Sequence, residues 1–549
     1  MLTLSCRGRD VLLPVGVTYA EAAAAFQDLY DGEILLAYSL KRKRVMELFQ
    51  EIKTTEKEVE FLTYRDTDGT NAYQRTAAFL LKKAVTEVLG PECRISVEFN
   101  LGGNYYVRLT GKRPMEKIAG QLKEHMRADA ALSIPIRRVY LSAFDAVQML
   151  EHTGEYGLAR SIHYSENSRF SFYTMAGLYC YFSDHLCSST GVIRNFDLCC
   201  FEGGLLLVLP KRDDFRELNP VLPAGPHFRT QLEGQNWADR LGINSLTDFN
   251  ERIVNGSAGD VILMQEAFFE KRLGDVAETV IRKKKKFILL AGPSSSGKTT
   301  TAYRLAIQLR AFGVEPKIIS ADDYFYPAQQ RPRLPDGTPD MESVRALDTE
   351  LFNADMLRLL NGEEAELPTF NFVLQERQYK GRKLRLGPKT VLIVEGIHCL
   401  NPVFSAKIPE DRKMKLYVSS MNPLCVDDMN PIHHSDVRLL RRIVRDHRTR
   451  GYSAAETIAV WGSVRRGEDE NIFPFQDEAD VSVNSAMIYE LSVLRPYVEP
   501  LLFGIGPDRR EYTEARRLLK FLSFVLALPA DLIPQTSLIR EFIGGSCIE

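Results

Sequence analysis

The chain has 549 residues, 45% of them hydrophobic and 26% charged, with a formal net charge of -2. At about 150 residues per domain that length implies three or four units, and the near-neutral charge excludes a chain-wide bias toward nucleic acid or an anionic membrane. The nine cysteines form no C-x-x-C pair and an odd number cannot all be bridged within the chain, so a reducing, cytoplasmic setting is expected. No stretch approaches the ~18 consecutive apolar residues of a membrane span, and the start MLTLSCRGRDVLLPVG lacks an export pattern, so no membrane association is expected.

In chain order, residues 1–65 alternate short apolar runs with turns around an alanine-rich helix from Tyr19 to Leu29, which predicts a small α+β unit. Apolar residues then recur at helical spacing from Ala72 to Val88, and 94–107 reads as paired strands around Gly102 and Gly103. A second α+β unit is expected over 66–222. The proline-rich 220–226 marks a linker, helical patterning follows over 260–282, and 223–282 reads as a helical connection to a last domain over 283–549. Lys283 to Lys286 reads as a solvated lead-in to that domain. Beyond it, apolar strands at 287–291, 317–320, 390–394, 416–418 and 480–483 alternate with helical stretches, which predicts an α/β fold with a doubly wound parallel sheet.

Gly292-Pro293-Ser294-Ser295-Ser296-Gly297-Lys298-Thr299 matches G-x-x-x-x-G-K-[ST] directly after an apolar strand and before a helical stretch. Glycines permit the tight turn that aims successive N–H groups, with the helix N-terminus, at phosphate oxygens. Lys298 is expected to reach the β- and γ-phosphates, Thr299 to place its hydroxyl on Mg²⁺, and Thr300 to extend the ATP-binding set.

The next strand ends in Ser320-Ala321-Asp322-Asp323, placing carboxylates beside that loop, where a kinase needs a base to orient the acceptor hydroxyl and take its proton. Asp322 is assigned that role, with Asp323 second. Glu395 ends the strand 391–394 in the position of a metal-holding acid. His398, just beyond, is read as a packed loop histidine. From Asp436 onward, arginines at three- and four-residue steps build a basic helix face suited to close over a transferring phosphoryl group.

Several of these motifs, in order, resemble the uridine kinase and phosphoribulokinase family: GPSSSGKT, ISADDYF, LPTFNF, VLIVEGI and VRLLRRIVRDHRTRG. The resemblance implies ATP and Mg²⁺ as cofactors, Asp322 as catalytic base, and Asp322, Thr299 and Glu395 around the metal. It implies Arg441 and Arg445 as catalytic lid arginines, with Arg438 also contacting phosphate or substrate. Glu342 stands where that family holds the ribose hydroxyls. Around the pyrimidine the family usually shows tyrosine and, five residues on, histidine; Phe370 and Gln375 stand there instead, which changes the hydrogen bonds open to a base.

Residues 1–65 resemble a TGS domain, and 66–222 resemble the editing domain of threonyl-tRNA synthetase through FLTYRDTDG and SSTG. The four positions of that domain's metal-type cluster are here Arg75, Phe79, Phe182 and Leu186, which cannot converge as ligands, so editing is not expected. The whole arrangement, with SVRRGEDENIFPFQDEADV and the closing IREFIGG, resembles uridine-kinase-like nucleoside kinases of bacteria, which implies a homo-oligomer. The leading reading is transfer of the ATP γ-phosphate to the 5′-hydroxyl of a nucleoside. Another hydroxyl metabolite as acceptor remains open. So does an RNA-associated nucleotide-binding regulator, which the weakly basic amino-terminal region does little to support.

Overall fold

The computed structural model describes residues 1–111, 115–333, 337, 340, 342–371 and 374–548. Phe372 of the LPTFNF segment lies outside them. The chain divides into two compact units. One contains Met1–Pro223, Ser245–Thr247 and Cys425–Ile432; the other contains Ala224–Asn244, Asp248–Leu424 and His433–Glu549.

The first unit is α+β with two hydrophobic cores. Its opening hairpin, Leu2–Cys6 with Arg9–Leu13, and a three-stranded sheet of Arg44–Glu47, Ile34–Ser39 and Val59–Thr63 enclose the helix Tyr19–Phe26. Thr18 and Glu21 close a reciprocal capping box at that helix's start, satisfying two of its orphan N–H groups. The second core gathers around the long helix Thr67–Leu89 and the antiparallel sheet Asp197–Phe201, Gly204–Val208, Asn104–Leu109 and Ile95–Leu101. The last two strands turn at Gly102 and Gly103, both at positive φ (58° and 89°), where a side chain would be strained. A three-stranded sheet of Leu178–Tyr181, Arg169–Met175 and Ile136–Ser142 completes the unit with the hairpin inside Cys425–Ile432, whose Asp428 carbonyl accepts from the Val97 N–H at 2.8 Å.

The second unit is an α/β fold built on five parallel strands: β1 (Phe287–Ala291), β2 (Glu315–Ser320), β3 (Thr390–Glu395), β4 (Lys413–Ser419) and β5 (Val481–Asn484), in the order β2-β3-β1-β4-β5. Every residue of β1 is buried, because both faces of the sheet are covered; its sequence FILLA is therefore a continuous apolar run rather than an alternating one. Central β1 ends between the tips of β3 and β4, at the carboxyl edge where open α/β sheets bind ligands.

Of the stretch 223–282 expected to be a connection, Ala224–Asn244 and the residues from Asp248 onward are part of this unit. The helix Ala258–Arg282 buries Val261, Phe269, Leu273, Val276 and Val280, an apolar stripe at helical spacing. Its Glu266 and Glu270 pair at 2.9 and 2.6 Å with the buried Arg304 of helix α1 (Lys298–Ala311). Pattern alone marks the helix; the charge pairing that fixes it against the sheet unit is long-range and has no local signature. Among the described residues no helix is long and apolar enough to cross a membrane.

Candidate active site

The turn between β1 and α1 is held open by backbone geometry. Ser295 and Gly297 sit at positive φ (59° and 80°), which aims successive N–H groups into one concavity. A Cβ at Gly292 would lie 2.1 Å from the Val418 carbonyl oxygen, so only glycine lets β1 pass into the loop beside β4. Among the described residues, the hydroxyls of Ser295 and Ser296 are buried without a hydrogen-bond partner, a costly arrangement unless a polar ligand completes it. Lys298 lays its ammonium back over the loop, donating to the Pro293 carbonyl at 3.1 Å, and Thr299 is exposed. Thr300, in the first turn of α1, donates through N–H (3.4 Å) and Oγ1 (2.6 Å) to the Glu541 carboxylate.

The acids gather at the neighbouring strand tips. Ser320 of β2 is in register with Glu395 of β3, and Glu395 in turn with Leu290 of β1, so Glu395 stands between the loop and the turn carrying Asp322. That turn, Ala321–Tyr324, is capped by the Ser320 hydroxyl, which accepts from the Asp322 N–H. Burial pushes the Asp322 carboxyl up to about 6 against the pull of Lys298, with Asp323 and Glu342 raising it further. Burial likewise raises Glu395 to about 7, opposed by Lys298 and reinforced by Asp322. Glu342 is lifted to about 7 by burial and by Glu468, against Arg442 and Lys298. One lysine thus faces three carboxyls whose pKa values burial and mutual repulsion hold high, a pattern typical of reactive sites.

The two aspartates of the turn divide their work. Asp323 accepts from the Phe370 N–H and from Arg382, both at 3.1 Å, and so ties the turn to neighbouring strands. Asp322 makes no side-chain hydrogen bond among the described residues, leaving its carboxylate available to an acceptor hydroxyl.

The basic helix α2 (His434–Arg450) departs from the expected lid. Arg438 and Arg441 do not face a cleft; both are buried beneath the loop. Arg438 donates to the Ser294 carbonyl at 3.0 Å and forms a two-pronged pair with the buried Glu468, its Nη2 at 2.7 Å from Oε2. Glu468, on helix α3 (Ala454–Asn471), also accepts from the Ser294 N–H at 3.0 Å. Arg441 pairs with Glu490 through Nε at 2.7 Å and donates to the Ser485 and Ser295 carbonyls at 2.9 and 3.3 Å. These two guanidiniums support the loop from behind. Spacing along a helix identifies a shared face but not which carboxylates occupy it, which is why the lid reading extended to them.

The later arginines form the charged front. Arg442, Arg445 and Arg450 surround the single buried carboxylate of Asp446 at 3.1, 2.8 and 3.6 Å, leaving a surplus of positive charge. Arg442 also donates to the Ser294 hydroxyl at 3.1 Å, and Arg442 and Arg450 are felt by Glu342 and Asp322 respectively. Of this group only Arg445 was singled out from sequence.

At the expected base pocket, Phe370 stacks edge-on to Phe325 with ring centroids 5.8 Å apart. Arg331, which no motif marked, lies over both rings (4.8 Å from Phe370, 5.3 Å from Phe325) and donates to the Gln375 side chain at 2.6 Å. Phe370 and Gln375 are thus brought together through an arginine. In the first unit, Phe79 and Phe182 meet edge to face at 5.8 Å and Leu186 is fully buried, while the half-buried Arg75 pairs with Asp184 at 3.1 Å, so these four positions present no ligand set.

A glycine-rich turn feeding a helix, carboxylates at the adjoining strand tips and a guanidinium cluster above define a P-loop phosphotransferase. Residues 287–491 match the model of the Phosphoribulokinase / Uridine kinase family. A uridine kinase of Lactobacillus helveticus (strain DPC 4571) is 30% identical over 200 residues, covering 35% of this chain and 83% of that protein. A uridine kinase of Mycoplasma genitalium is 29% identical over 177 residues, 32% of this chain and 74% of that protein. A solved chain described as a possible uridine kinase from Bacillus stearothermophilus shares 15% identity over 39% of this chain and 98% of its own, with a TM-score of 0.27. The chain belongs to the phosphoribulokinase and uridine kinase family.

Proposed function

We propose that the protein transfers the γ-phosphoryl group of ATP to the 5′-hydroxyl of a nucleoside. The observation that carries this reading is Asp322, whose side chain makes no hydrogen bond among the described residues, held with Glu395 and Glu342 against Lys298 at the mouth of the 292–299 turn. Backbone N–H groups and the hydroxyls of Ser295 and Ser296 bind phosphate, and Lys298 counters its charge. Thr299, Asp322 and Glu395 are hard oxygen donors that suit Mg²⁺, which when bound neutralises charge on the phosphates. Asp322 orients the attacking hydroxyl and takes its proton as the O–P bond forms and the bond to the ADP oxygen breaks. Arg445, with Arg442 and Arg450, spreads the charge that develops on the moving group. Glu342 accepts from the ribose hydroxyls.

The nucleoside relatives support the acceptor class, and the Phe325–Phe370 pair provides an apolar surface for a base. Arg331 and Gln375 at that surface favour a second acceptor, another small hydroxyl compound bearing groups that a guanidinium recognises. Residues 1–65 and 66–222 are proposed to be TGS and degenerate editing-like modules, and the protein to be a cytoplasmic homo-oligomer. ADP release in the presence of Mg-ATP and a nucleoside panel, with sugar phosphates alongside, tests the reading. A folded sample whose ADP release no nucleoside stimulates would overturn it.

A further inference from the structure

Beyond the family span of 287–491, the segment 537–544 is built into the phosphate end of the loop. Its Leu538 packs on Gly297, where a Cβ would lie 2.7 Å from Leu538 Cδ1. Ser537 Oγ lies 2.9 Å from the Tyr489 hydroxyl. Helix α2 grips the residues after Leu538: Arg448 donates to the Glu541 carbonyl at 2.8 Å and to the Phe542 carbonyl at 3.1 Å, and the Arg441 guanidinium lies 5.1 Å from the Phe542 ring centroid.

These contacts deliver the Glu541 carboxylate to Thr300, 241 residues away, where it accepts from both N–H and Oγ1. Thr300 is the third residue of α1, a helix with no side-chain cap of its own at Gly297. Its N–H is therefore one of the first-turn donors that a helix cannot satisfy internally, and the macrodipole favours an anion there. A phosphate-binding loop directs that same first turn at the α- and β-phosphates of its nucleotide. Glu541 and a nucleotide phosphate are thus anions with one set of donors to share.

We propose that Glu541 competes with nucleotide phosphate for Thr300, so that the 537–544 segment sets the affinity of the loop for ATP and ADP and shifts when either binds. The proposal rests on the phosphotransferase reading. It assigns Arg448 a positioning part, since that side chain holds the backbone on either side of the competing carboxylate.

Titration of the full chain with Mg-ADP, followed by calorimetry, tests this. Glu541→Ala is expected to bind ADP about tenfold more tightly, the scale of one charge-assisted hydrogen bond. Removing a negative charge near phosphate would by itself move affinity in that direction, so Arg448→Ala is the second arm. That variant loses a positive charge and keeps Glu541, yet should also tighten ADP binding because it loosens the segment. Tightening in both supports competition. Unchanged or weaker binding in both, with an unaltered chain that binds ADP and a Lys298→Ala variant that does not, overturns the competition alone; tightening in Glu541→Ala only reduces it to repulsion and also overturns it. Failure of the unaltered chain and every variant to bind ADP removes the phosphotransferase reading, and the competition with it.

Discussion

Replacing Arg441 by Met separates two roles that a helix of arginines leaves entangled. Arg441 and Glu490 are both fully buried, and Arg441 donates to Glu490 Oε2 at 2.7 Å while its other nitrogens reach the Ser485 and Ser295 carbonyls. Methionine fills much of the volume but strands the Glu490 carboxyl, and breaking such a pair from one side costs about 3–5 kcal/mol. With a urea slope of about 3 kcal/mol/M, the midpoint of the transition of the P-loop unit should fall by about 1–1.7 M. Circular dichroism against urea reads that midpoint, and added Mg-ADP identifies which transition belongs to the nucleotide-binding unit. Glu490→Gln in the Arg441→Met background should recover at least half the loss, because it removes the stranded charge. Arg445→Ala should divide the other way: because Arg442 and Arg450 still face the Asp446 carboxylate, it should cost less stability than Arg441→Met, and it should lower turnover by about 100-fold or more. A stable Arg441→Met protein with collapsed turnover would refute the assignment of Arg441 to the loop's support.

Asp322→Asn should lower turnover by about 100- to 10,000-fold while Mg-ADP still binds, checked by ADP release and by calorimetry. Gly292→Ala should abolish ADP binding, since its methyl group meets the Val418 carbonyl oxygen; retained affinity would show that β4 gives way. Glu342 titrates at about 7 when folded against an ordinary 4.5, so the folded chain holds the extra proton between those values. The stability this contributes is present below about pH 4.5 and lost as pH rises through 7. Glu342→Gln, always neutral, should therefore raise the unfolding free energy read from urea titrations at pH 8, by no more than about 3.5 kcal/mol, and leave it nearly unchanged at pH 4.

The parallel sheet was legible because buried strands spell themselves as apolar runs and the loop motif has a fixed context of strand before and helix after. The placement of Glu395 at a strand end and of Asp322 in the turn just after one was legible for the same reason, since each follows such a run. What sequence could not express were partners fixed by tertiary packing. Glu468, Glu490 and Glu541 lie 30, 49 and 241 residues from the groups they bind, and nothing local distinguishes them from solvated acids. Arg438 and Arg441 were placed on the right helix but read as lid residues, whereas both are buried against Glu468 and Glu490. Arg331 sits in no periodic element, and its place over Phe370 follows from a loop that pattern does not constrain.

The first unit is not a contiguous stretch of chain. Its hairpin within Cys425–Ile432 gives the Val97 N–H its acceptor and donates the Asn430 amide to the Tyr181 carbonyl at 2.8 Å, yet it is encoded far downstream of Met1–Pro223, which holds nearly all the rest. During synthesis that unit must wait, with one strand edge unsatisfied, until residue 432 leaves the ribosome. No single cut yields two whole halves: a truncation near Lys283 would deprive one product of its last strands and the other of the helix that pairs with Arg304.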